Sequence, residues 1–337
     1  MTNELIEKTL DLIIDKKIEN DFFSSRSFII TGGAGFLGSW LSEAICRLGG
    51  RVVCIDDFST GVLANLESLK KYKNFRLIKR NVLSIDLSNI DGDFVFHFAS
   101  RPSPDDYQLH PVESLIVNST GSERLLEYCK KKKIPIALAS TSEVYGDAAI
   151  VPTPESYWGN VNPAGPRSCY DEGKRYAEAL FMAYAKQHKV PVKIFRIFNT
   201  YGPRLRADGN YGRAISRFLM QASADKPITI FGDGKQTRSF CFVTDIVRAI
   251  MRFAQSNIFN EAINIGNPTE MSILALVDII IKTLGSKSSL LFLDPAPDDP
   301  KRRCPDIRKA KELLNWSPDI SLQSGLRMTI EWNRAMH

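Results

Sequence analysis

Tyr170 and Lys174 are the residues whose types and spacing point most directly to chemistry. They stand four apart in the run 168–175, so a helix there would place both side chains on one face. A phenol titrates near about 10 and is a weak base at neutral pH unless positive charge favours the phenolate. Lys174 could supply that charge. An isolated pair of this kind is more often two surface residues of an amphipathic helix, so its meaning depends on the rest of the chain.

A glycine-rich loop near the N-terminus supplies that context. The apolar run 26–31 predicts a buried strand, and Gly32-Gly33-Ala34-Gly35-Phe36-Leu37-Gly38 follows it and opens a helical pattern. Glycines permit a tight turn and the close approach of a pyrophosphate, which binds at the helix N-terminus. A second predicted strand, 51–55, ends at Asp56 and Asp57, where a carboxylate would accept hydrogen bonds from an adenosine ribose. Because a carboxylate there would repel a 2′-phosphate, the sequence favours NAD over NADP.

The rest of the chain alternates apolar runs with helical patterns. Further strands are predicted at 75–78, 94–98, 134–139 and 192–197, and helices at 108–132 and 168–189. This alternation indicates an α/β fold with a doubly wound parallel sheet of the Rossmann type. We expect an N-terminal amphipathic helix in residues 1–23, an NAD-binding Rossmann domain in 24–198 to which 238–267 contribute, and a smaller, interleaved substrate-binding domain in 199–337.

Composition narrows the class of protein. The 337 residues are 44% hydrophobic and 24% charged, and the net charge of +6 is spread along the chain, so we expect no nucleic-acid partner. The six cysteines form no C-x-x-C pair and no histidine cluster has metal-ligand spacing, which predicts reduced thiols, a cytoplasmic protein and no metal. No stretch is long enough for a membrane span, and the N-terminal helix does not resemble a signal peptide. The sequence leaves open whether that helix packs on its own chain or on a second subunit.

From residue 26 to its end, the chain resembles the extended short-chain dehydrogenases/reductases that modify nucleotide sugars, the NAD-dependent epimerase/dehydratase family. The resemblance is carried by Thr31–Gly38, by Asp56, by the Tyr170 and Lys174 pair, and by Arg196–Arg204. In that family the tyrosine takes a proton from a sugar hydroxyl while hydride passes to NAD, with help from a serine or threonine. The position that matches this helper is Thr141. A strand-end threonine can also simply bond its own backbone.

The residues after Thr141 point to one branch of the family. In 4,6-dehydratases the threonine is followed by an Asp-Glu pair, but here Ser142 replaces the Asp; in 4-epimerases the next position usually cannot titrate, but here it is Glu143. The combination is similar to that of UDP-glucuronate decarboxylases, as are 157–163 and Gly165-Pro166-Arg167. The run 298–307 resembles the decarboxylase segment that carries a catalytic arginine, which aligns with Arg303; otherwise Arg303 is a surface residue before a helix.

The resemblance implies a full set of site residues. Catalytic roles fall on Tyr170, Lys174, Thr141, Glu143 and Arg303. The implied cofactor-binding residues are Gly32, Gly35, Phe36, Leu37, Gly38, Asp56, Asp57, Ser59, Thr60, Gly61, Asn81, Val82, Phe98, Ala99, Ser100, Asn118, Tyr170 and Lys174. The implied substrate-binding residues are Arg101, Ser142, Glu143, Asn199, Arg204, Arg238 and Arg303. Three positions depart from the decarboxylase pattern, since Arg101 adds a cation near the sugar, Asn81 replaces an Asp, and Asp57 replaces an Asn.

The function implied is NAD-dependent decarboxylation of UDP-glucuronate to UDP-xylose through a 4-keto intermediate, with the cofactor regenerated in each turnover. A homodimer is implied as well, because the helices predicted at 108–132 and 168–189 match those that form an intersubunit four-helix bundle in this family. A nucleotide-sugar 4-epimerase and a 4,6-dehydratase remain open. From a different class, so does a non-catalytic NAD-binding sensor, although the presence of Thr141, Tyr170 and Lys174 counts against it.

Overall fold

The computed structural model describes residues 2–208 and 213–336. Elements are numbered along the chain, and the central strands are β1 (Ser27–Thr31), β2 (Arg51–Asp56), β3 (Phe75–Lys79), β4 (Phe94–His97), β5 (Ile136–Thr141), β6 (Val192–Ile197) and β11 (Glu261–Ile265). They form a seven-stranded sheet in the order β11-β6-β5-β4-β1-β2-β3. Every pairing in it is parallel. The predicted α/β fold with a parallel Rossmann-type sheet is therefore confirmed.

Helices cover this sheet, which explains why its strands read as continuous apolar runs. The helices are α1 (Thr2–Ile13), α2 (Asn20–Ser24), α3 (Phe36–Arg47), α4 (Pro104–Leu109), α5 (Pro111–Asn118), α6 (Thr120–Lys132), α7 (Ser168–His188), α8 (Ala214–Ser223), α9 (Val243–Gln255), α10 (Ile273–Leu284), α11 (Arg308–Leu314) and α12 (Leu322–Met336). The described residues also include two 3-10 helices, Leu63–Lys71 and Ser142–Tyr145. The order of the strands reverses at β1, and the crevice at the carboxyl ends of β1 and β4 is where such folds bind ligands.

The single helix predicted at 108–132 is wrong in the structure, where α4, α5 and α6 replace it. The first break lies at His110, whose φ of −130° and ψ of 56° are not helical, because a residue that precedes a proline is disfavoured in the helical region. Pro111 then begins α5 at a position where its missing N–H costs nothing. The second break lies at Ser119, with φ of −94° and ψ of −82°.

The part of the chain after residue 199 builds three small sheets beside the large one. Their strands are β7 (Thr200–Tyr201) with β10 (Cys241–Phe242), β8 (Ile228–Phe231) with β13 (Leu290–Leu293), and β12 (Glu270–Ser272), β9 (Thr237–Ser239) and β14 (Arg302–Arg303) in that order. The chain also returns to the large sheet, because β11 pairs with β6 at its edge. The two parts therefore interleave in sequence and meet over the carboxyl ends of the central strands.

The N-terminal helices pack on the body of their own chain. Helix α1 buries Ile6, Leu10 and Ile13 in the main core and contacts α3, α9 and α12. An ion pair between Asp15 and Arg252 of α9 fastens the segment that follows α1. The question that the sequence left open is thus answered for this chain. In the residues that the structure describes, no helix has the length and apolar character needed to cross a membrane, and no cluster of acidic, histidine and cysteine side chains could hold a metal ion.

Candidate active site

A cavity of about 790 Å³ opens over the carboxyl ends of the central strands, and residues from both parts of the chain line it. Its walls include every residue that the sequence analysis assigned to the cofactor or the substrate, with two exceptions. Asn118 lies behind the wall, fully buried, and accepts a hydrogen bond from Ser100 Oγ at 3.2 Å. Gly61 lies behind Asp56, where a Cβ would come within 2.7 Å of Asp56 Oδ1. The predicted residues, far apart in sequence, are therefore gathered at one site.

The glycine-rich loop shapes one end of this cavity. Gly32 has a φ of +70°, and a Cβ on it would lie 2.6 Å from the backbone nitrogen of Ala99, so neither the conformation nor the space suits a larger residue. Gly35 caps α3 without any side-chain hydrogen bond to the first turn. The N–H groups at the start of α3 therefore face the cavity as an anion-binding end of a helix.

Asp56 joins this loop to the end of β2. Its Oδ2 accepts a hydrogen bond from the backbone N–H of Ala34 at 2.9 Å, and its Oδ1 accepts one from Phe58 at 2.8 Å. Burial raises the pKa of Asp56, while these two backbone donors lower it. Each carboxylate oxygen retains a lone pair that can accept from a ribose hydroxyl. Asp56 thus holds the loop and faces the cavity at the same time.

Asp57 and Asn81, two of the departures from the decarboxylase pattern, are hydrogen-bonded to each other. Asn81 Nδ2 donates to Asp57 Oδ2 at 2.6 Å, and Asp57 Oδ1 accepts from the backbone N–H of Ser59. The two departures are therefore in direct contact, with Asn81 contributing the amide and Asp57 the carboxylate.

These residues fit NAD. The uncapped start of α3 suits a pyrophosphate, and Asp56 suits an unphosphorylated adenosine ribose. The remaining wall at this end is formed by the predicted cofactor-binding residues that line the cavity: Phe36, Leu37, Gly38, Ser59, Thr60, Val82, Phe98, Ala99 and Ser100. The cavity is long enough to continue from this end to Tyr170 and Lys174, which line the same space.

Tyr170 lies in the first turn of α7, beside Thr141 at the end of β5. The Thr141 side chain opposes the effect of burial on the pKa of the Tyr170 phenol, and its Oγ1 accepts the backbone N–H of Glu143 at 3.3 Å. Thr141 therefore bonds its own backbone at the end of the strand and also lies beside Tyr170, so the two interpretations of this residue do not exclude each other.

The charge environment of Tyr170 differs from the expectation. Burial raises its pKa to about 12, and the positive group that most opposes this is Arg213, not Lys174. Lys174 is 2% exposed and donates from Nζ to the carbonyl of Ala139 at 2.8 Å, and burial lowers its pKa to about 7. The ring of Tyr170 also stacks on Tyr107, with centroids 5.2 Å apart and planes at 2°. The sequence analysis missed Arg213 and Tyr107, because no motif marks either residue.

Glu143 is the centre of a buried cluster of charges. Arg303 donates from Nη1 to Oε1 and from Nη2 to Oε2, both at 2.7 Å, while Arg167 Nη2 donates to Oε2 at 2.6 Å. Burial alone would raise the pKa of Glu143, but the two guanidiniums lower it to about 2. Asp171 lies 3.9 Å from Arg167, and burial together with repulsion from Glu143 raises its pKa to about 7. Glu143 is thus ionised and shared between two arginines.

Arg303 owes its position to strand pairing. Strand β14 lies parallel to β9 with Arg303 opposite Arg238, and Arg238 donates from Nη2 to Asp299 at 2.7 Å. Arg302, the preceding residue, instead pairs with Glu270 and does not line the cavity. The structure therefore selects Arg303 from the three consecutive basic residues as the one that reaches Glu143.

The other predicted substrate residues have partners of their own. Arg101 donates from Nη1 to both oxygens of Asp106 at 2.8 and 2.9 Å, so its extra charge is neutralised within the protein. Arg204 pairs with the buried Glu43 and stacks on Trp40 at 3.7 Å, with 1% of its side chain exposed.

Ser142 and Asn199, the remaining two, also lie in the cavity wall. Ser142 is buried, and Asn199 donates from Nδ2 to the carbonyl of Ser239 at 2.9 Å. Asn199 therefore links the end of β6 to β9, the strand that carries Arg238.

Comparison with known proteins identifies the family. The model of the NAD dependent epimerase/dehydratase family matches residues 28–266, and the chain belongs to that family. It is 44% identical over 309 residues, 92% of this chain and 72% of the relative, to UDP-glucuronic acid decarboxylase 1 of Xenopus tropicalis. It is 43% identical to UDP-glucuronic acid decarboxylase 2 of Arabidopsis thaliana, over 90% of this chain and 67% of that one. The crystal structure of UDP-glucuronic acid 4-epimerase from Bacillus cereus in complex with UDP-glucuronic acid and NAD superimposes with a TM-score of 0.84 at 34% identity, covering 92% of this chain and all of the other.

Proposed function

We propose that this protein decarboxylates UDP-glucuronate to UDP-xylose with NAD as a cofactor that is regenerated in each turnover. Similarity to the UDP-glucuronic acid decarboxylases of Xenopus and Arabidopsis over about nine tenths of the chain supports the reaction. The observation that carries the proposal is the cluster of Glu143, Arg167 and Arg303 in the same cavity as Tyr170. That cluster offers a titratable carboxylate and a guanidinium to a sugar bound in this cavity.

The balance of charge in the cluster supports a substrate that bears a carboxylate. Three guanidiniums, those of Arg167, Arg238 and Arg303, face two carboxylate partners, Glu143 and Asp299. A third carboxyl group, that of Asp171, lies 3.9 Å from Arg167 but has its pKa raised to about 7 by burial, so at neutral pH it cancels only part of the remaining positive charge. A guanidinium binds a carboxylate through two parallel hydrogen bonds, so a uronate would complete the balance where a neutral hexose would not.

Oxidation at C4 would begin with proton removal by Tyr170. When bound, NAD supplies the hydride acceptor for C4 and a positive charge beside the phenol. Arg213 and the Thr141 side chain already oppose the effect of burial on the pKa of Tyr170, so further positive charge brings the phenolate within reach at neutral pH. Tyr170 then takes the C4 hydroxyl proton, and Lys174 is buried one helical turn away on the same face of α7.

The second step would use the ketone at C4. The 4-keto uronate is a β-keto acid, so the bond between C5 and the carboxyl carbon breaks, CO₂ leaves, and the electron pair delocalises onto the C4 oxygen. Hydrogen bonds from Tyr170 and Thr141 stabilise this enolate. Arg303 holds the carboxylate in place before the bond breaks, and Glu143 acts on the ring or on a water near C5. Protonation of C5, return of hydride to C4 and return of the Tyr170 proton to the C4 oxygen give UDP-xylose.

The test is product analysis with the wild-type enzyme. Protein, NAD⁺ and UDP-glucuronate are incubated, and CO₂ release and nucleotide sugars are measured by chromatography. We expect one CO₂ per UDP-pentose formed, with no net NADH. Recovery of unchanged UDP-glucuronate over many hours would contradict the proposal.

A 4-epimerase is the second candidate. It is favoured by the structural similarity to UDP-glucuronic acid 4-epimerase from Bacillus cereus, whose complex contains UDP-glucuronic acid and NAD. An epimerase would keep the carboxylate and form the galacto isomer. Glu143, ionised and paired with Arg303, favours the decarboxylase, and the same chromatogram separates the two products.

We also propose a homodimer that joins α5 and α7 of two chains. Apolar side chains on this face are exposed, among them Leu109, Val112 and Leu115 near α5, and Tyr176 and Met182 on α7. A two-fold pairing would bury them as a four-helix bundle. Light scattering at micromolar concentration should give twice the chain mass of 37.8 kDa; a monomer would contradict the pairing. The cytoplasmic location remains a prediction, and the six cysteines, all buried and free, are in keeping with it.

A further inference from the structure

Arg167 is the one member of the Glu143 cluster to which the decarboxylase reaction assigns no task. It lies directly before α7 and is 7% exposed. Its backbone carbonyl accepts the N–H groups of Tyr170 at 3.0 Å and Asp171 at 3.1 Å. Its position is therefore fixed by the same helical turn that carries Tyr170, while its guanidinium reaches Glu143 in the wall of the cavity.

Glu143 creates a conflict for Arg303. All of the hydrogen bonds that Arg303 makes from its two terminal nitrogens go to Glu143 at 2.7 Å, and its Nε is buried without a partner. To bind a substrate carboxylate with both terminal nitrogens, Arg303 must turn away from Glu143. A buried carboxylate deprived of its cation is strongly disfavoured, so Glu143 would hold Arg303 unless a second cation remained with it.

Arg238 does not fill that need. It stands opposite Arg303 in the pairing of β14 with β9, but its guanidinium is engaged with Asp299. Arg167 can serve as the second cation, since it contacts Glu143 Oε2 at 2.6 Å independently of Arg303. We propose that Arg167 is a positioning residue that keeps Glu143 in place and neutralised while Arg303 exchanges Glu143 for the carboxylate of the substrate. This inference rests on the proposed function.

The exchange also accounts for selection of a uronate. A substrate carboxylate offers Arg303 the same two acceptor oxygens that it gives up, whereas the hydroxymethyl group of a neutral hexose does not. The Glu143–Arg303 pair therefore stays closed with UDP-glucose and opens with UDP-glucuronate. Arg167 makes the opening possible without moving Glu143 away from the first turn of α7.

Binding measurements test the proposal without interference from turnover. All variants are made in a Tyr170→Phe background with NAD⁺ present, and the Kd values of UDP-glucuronate and UDP-glucose are measured by calorimetry. Arg167→Met should weaken the binding of UDP-glucuronate about ten-fold or more and change the Kd of UDP-glucose less than about two-fold. Arg167→Lys should fall between, because it keeps the charge but not the planar geometry.

The Glu143→Gln substitution supplies the control, because it removes the charge that Arg167 is inferred to neutralise. In that background Arg167→Met should alter UDP-glucuronate binding less than about two-fold. An equal loss of affinity for UDP-glucuronate and UDP-glucose would mean that Arg167 has a purely structural role. If Arg167→Met weakens UDP-glucuronate binding just as much in the Glu143→Gln background, Arg167 binds the uronate directly. Either result, or unchanged uronate binding, would overturn the proposal. Failure of the proposed function would instead appear as absence of CO₂ with the wild-type enzyme.

Discussion

Asp56 and Glu143 are two buried carboxylates in one cavity, and the structure holds them in opposite ways. Asp56 accepts from backbone N–H groups of Ala34 and Phe58, both supplied by neighbouring turns. Glu143 accepts from the side chains of Arg167 and Arg303, 24 and 160 residues away in sequence. A backbone-held carboxylate is fixed with the fold, but a carboxylate held by long cationic side chains can exchange partners. We therefore expect the Asp56 end of the cavity to keep its contacts when ligands bind and the Glu143 end to exchange them.

Tyr170, which lies between the two ends, should show the largest effect. Tyr170→Phe removes the proton acceptor but keeps the ring that stacks on Tyr107, so the rate should fall by about 10²–10⁴-fold. Binding of NAD, measured by calorimetry, should stay within about two-fold because the Asp56 end is untouched. Turnover at the wild-type rate would remove Tyr170 from the mechanism.

Asp56→Ala tests the constant end of the comparison. Loss of a charged acceptor for the ribose should weaken NAD about ten-fold or more and NADP much less. The variant should also lose thermal stability, because the N–H groups of Ala34 and Phe58 lose their acceptor. Equal losses of affinity for the two cofactors would show that Asp56 holds the loop only. Asp56→Asn, which keeps one acceptor oxygen, is the matched control.

Lys174→Met separates function from stability. Burial lowers the pKa of Lys174 to about 7, whereas in the unfolded chain it is near about 10.4. Between these values the unfolded state binds the extra proton, so the cost to the native state grows as pH falls from 10 to 7 and is constant below 7. Without cofactor, Lys174→Met should therefore be more stable at pH 7, by about 1 kcal/mol or more, with a smaller gain at pH 9.5. Urea unfolding at several pH values checks the trend, and a gain that is independent of pH would contradict it.

The contact between Asn81 and Asp57 should give the smallest effect. Asn81→Ala removes two partly exposed hydrogen bonds, one to Asp57 and one from the backbone N–H of Leu83, so stability should fall by about 1–2 kcal/mol and NAD affinity by a few-fold at most. The double exchange Asp57→Asn with Asn81→Asp should restore most of both, since it recreates the usual pair in reverse. If the exchange behaves no better than the single change, as judged by urea unfolding, the two departures are unrelated.

The same division, between contacts made by local backbone and contacts made by distant side chains, separates what the sequence predicts from what it does not. The glycine loop, Asp56, and the Tyr170 and Lys174 pair are local motifs, in which spacing alone determines geometry, and the structure gathers them as expected. The order of the central strands and main helices up to residue 199 was also readable, apart from the breaks at His110 and Ser119. By contrast, the neutralising partner of Arg204 was not predictable, since Glu43 lies 161 residues away in sequence and only the fold brings the two together.

Arg167 and Arg213 mark the limit of that approach. Arg167 stands three residues before Tyr170, so helical spacing could have placed it near the phenol, but nothing in the spacing reveals Glu143 as its partner. Arg213 approaches Tyr170 from a separate part of the chain, and the sequence carries no sign of this. Charge clusters assembled across the fold, unlike glycine loops, must be seen in three dimensions.

The most direct test of the account follows the carboxyl carbon in wild type and in Arg303→Ala. With UDP-glucuronate labelled with ¹³C at C6, wild type should release the label as CO₂ and bicarbonate in carbon NMR. Arg303→Ala should bind NAD normally, because Arg167 still neutralises Glu143, yet should release the label at least about 10²-fold more slowly, since positioning of the carboxylate is lost. Release by Arg303→Ala at the wild-type rate, or wild-type product that keeps the label in the galacto epimer, would contradict the account.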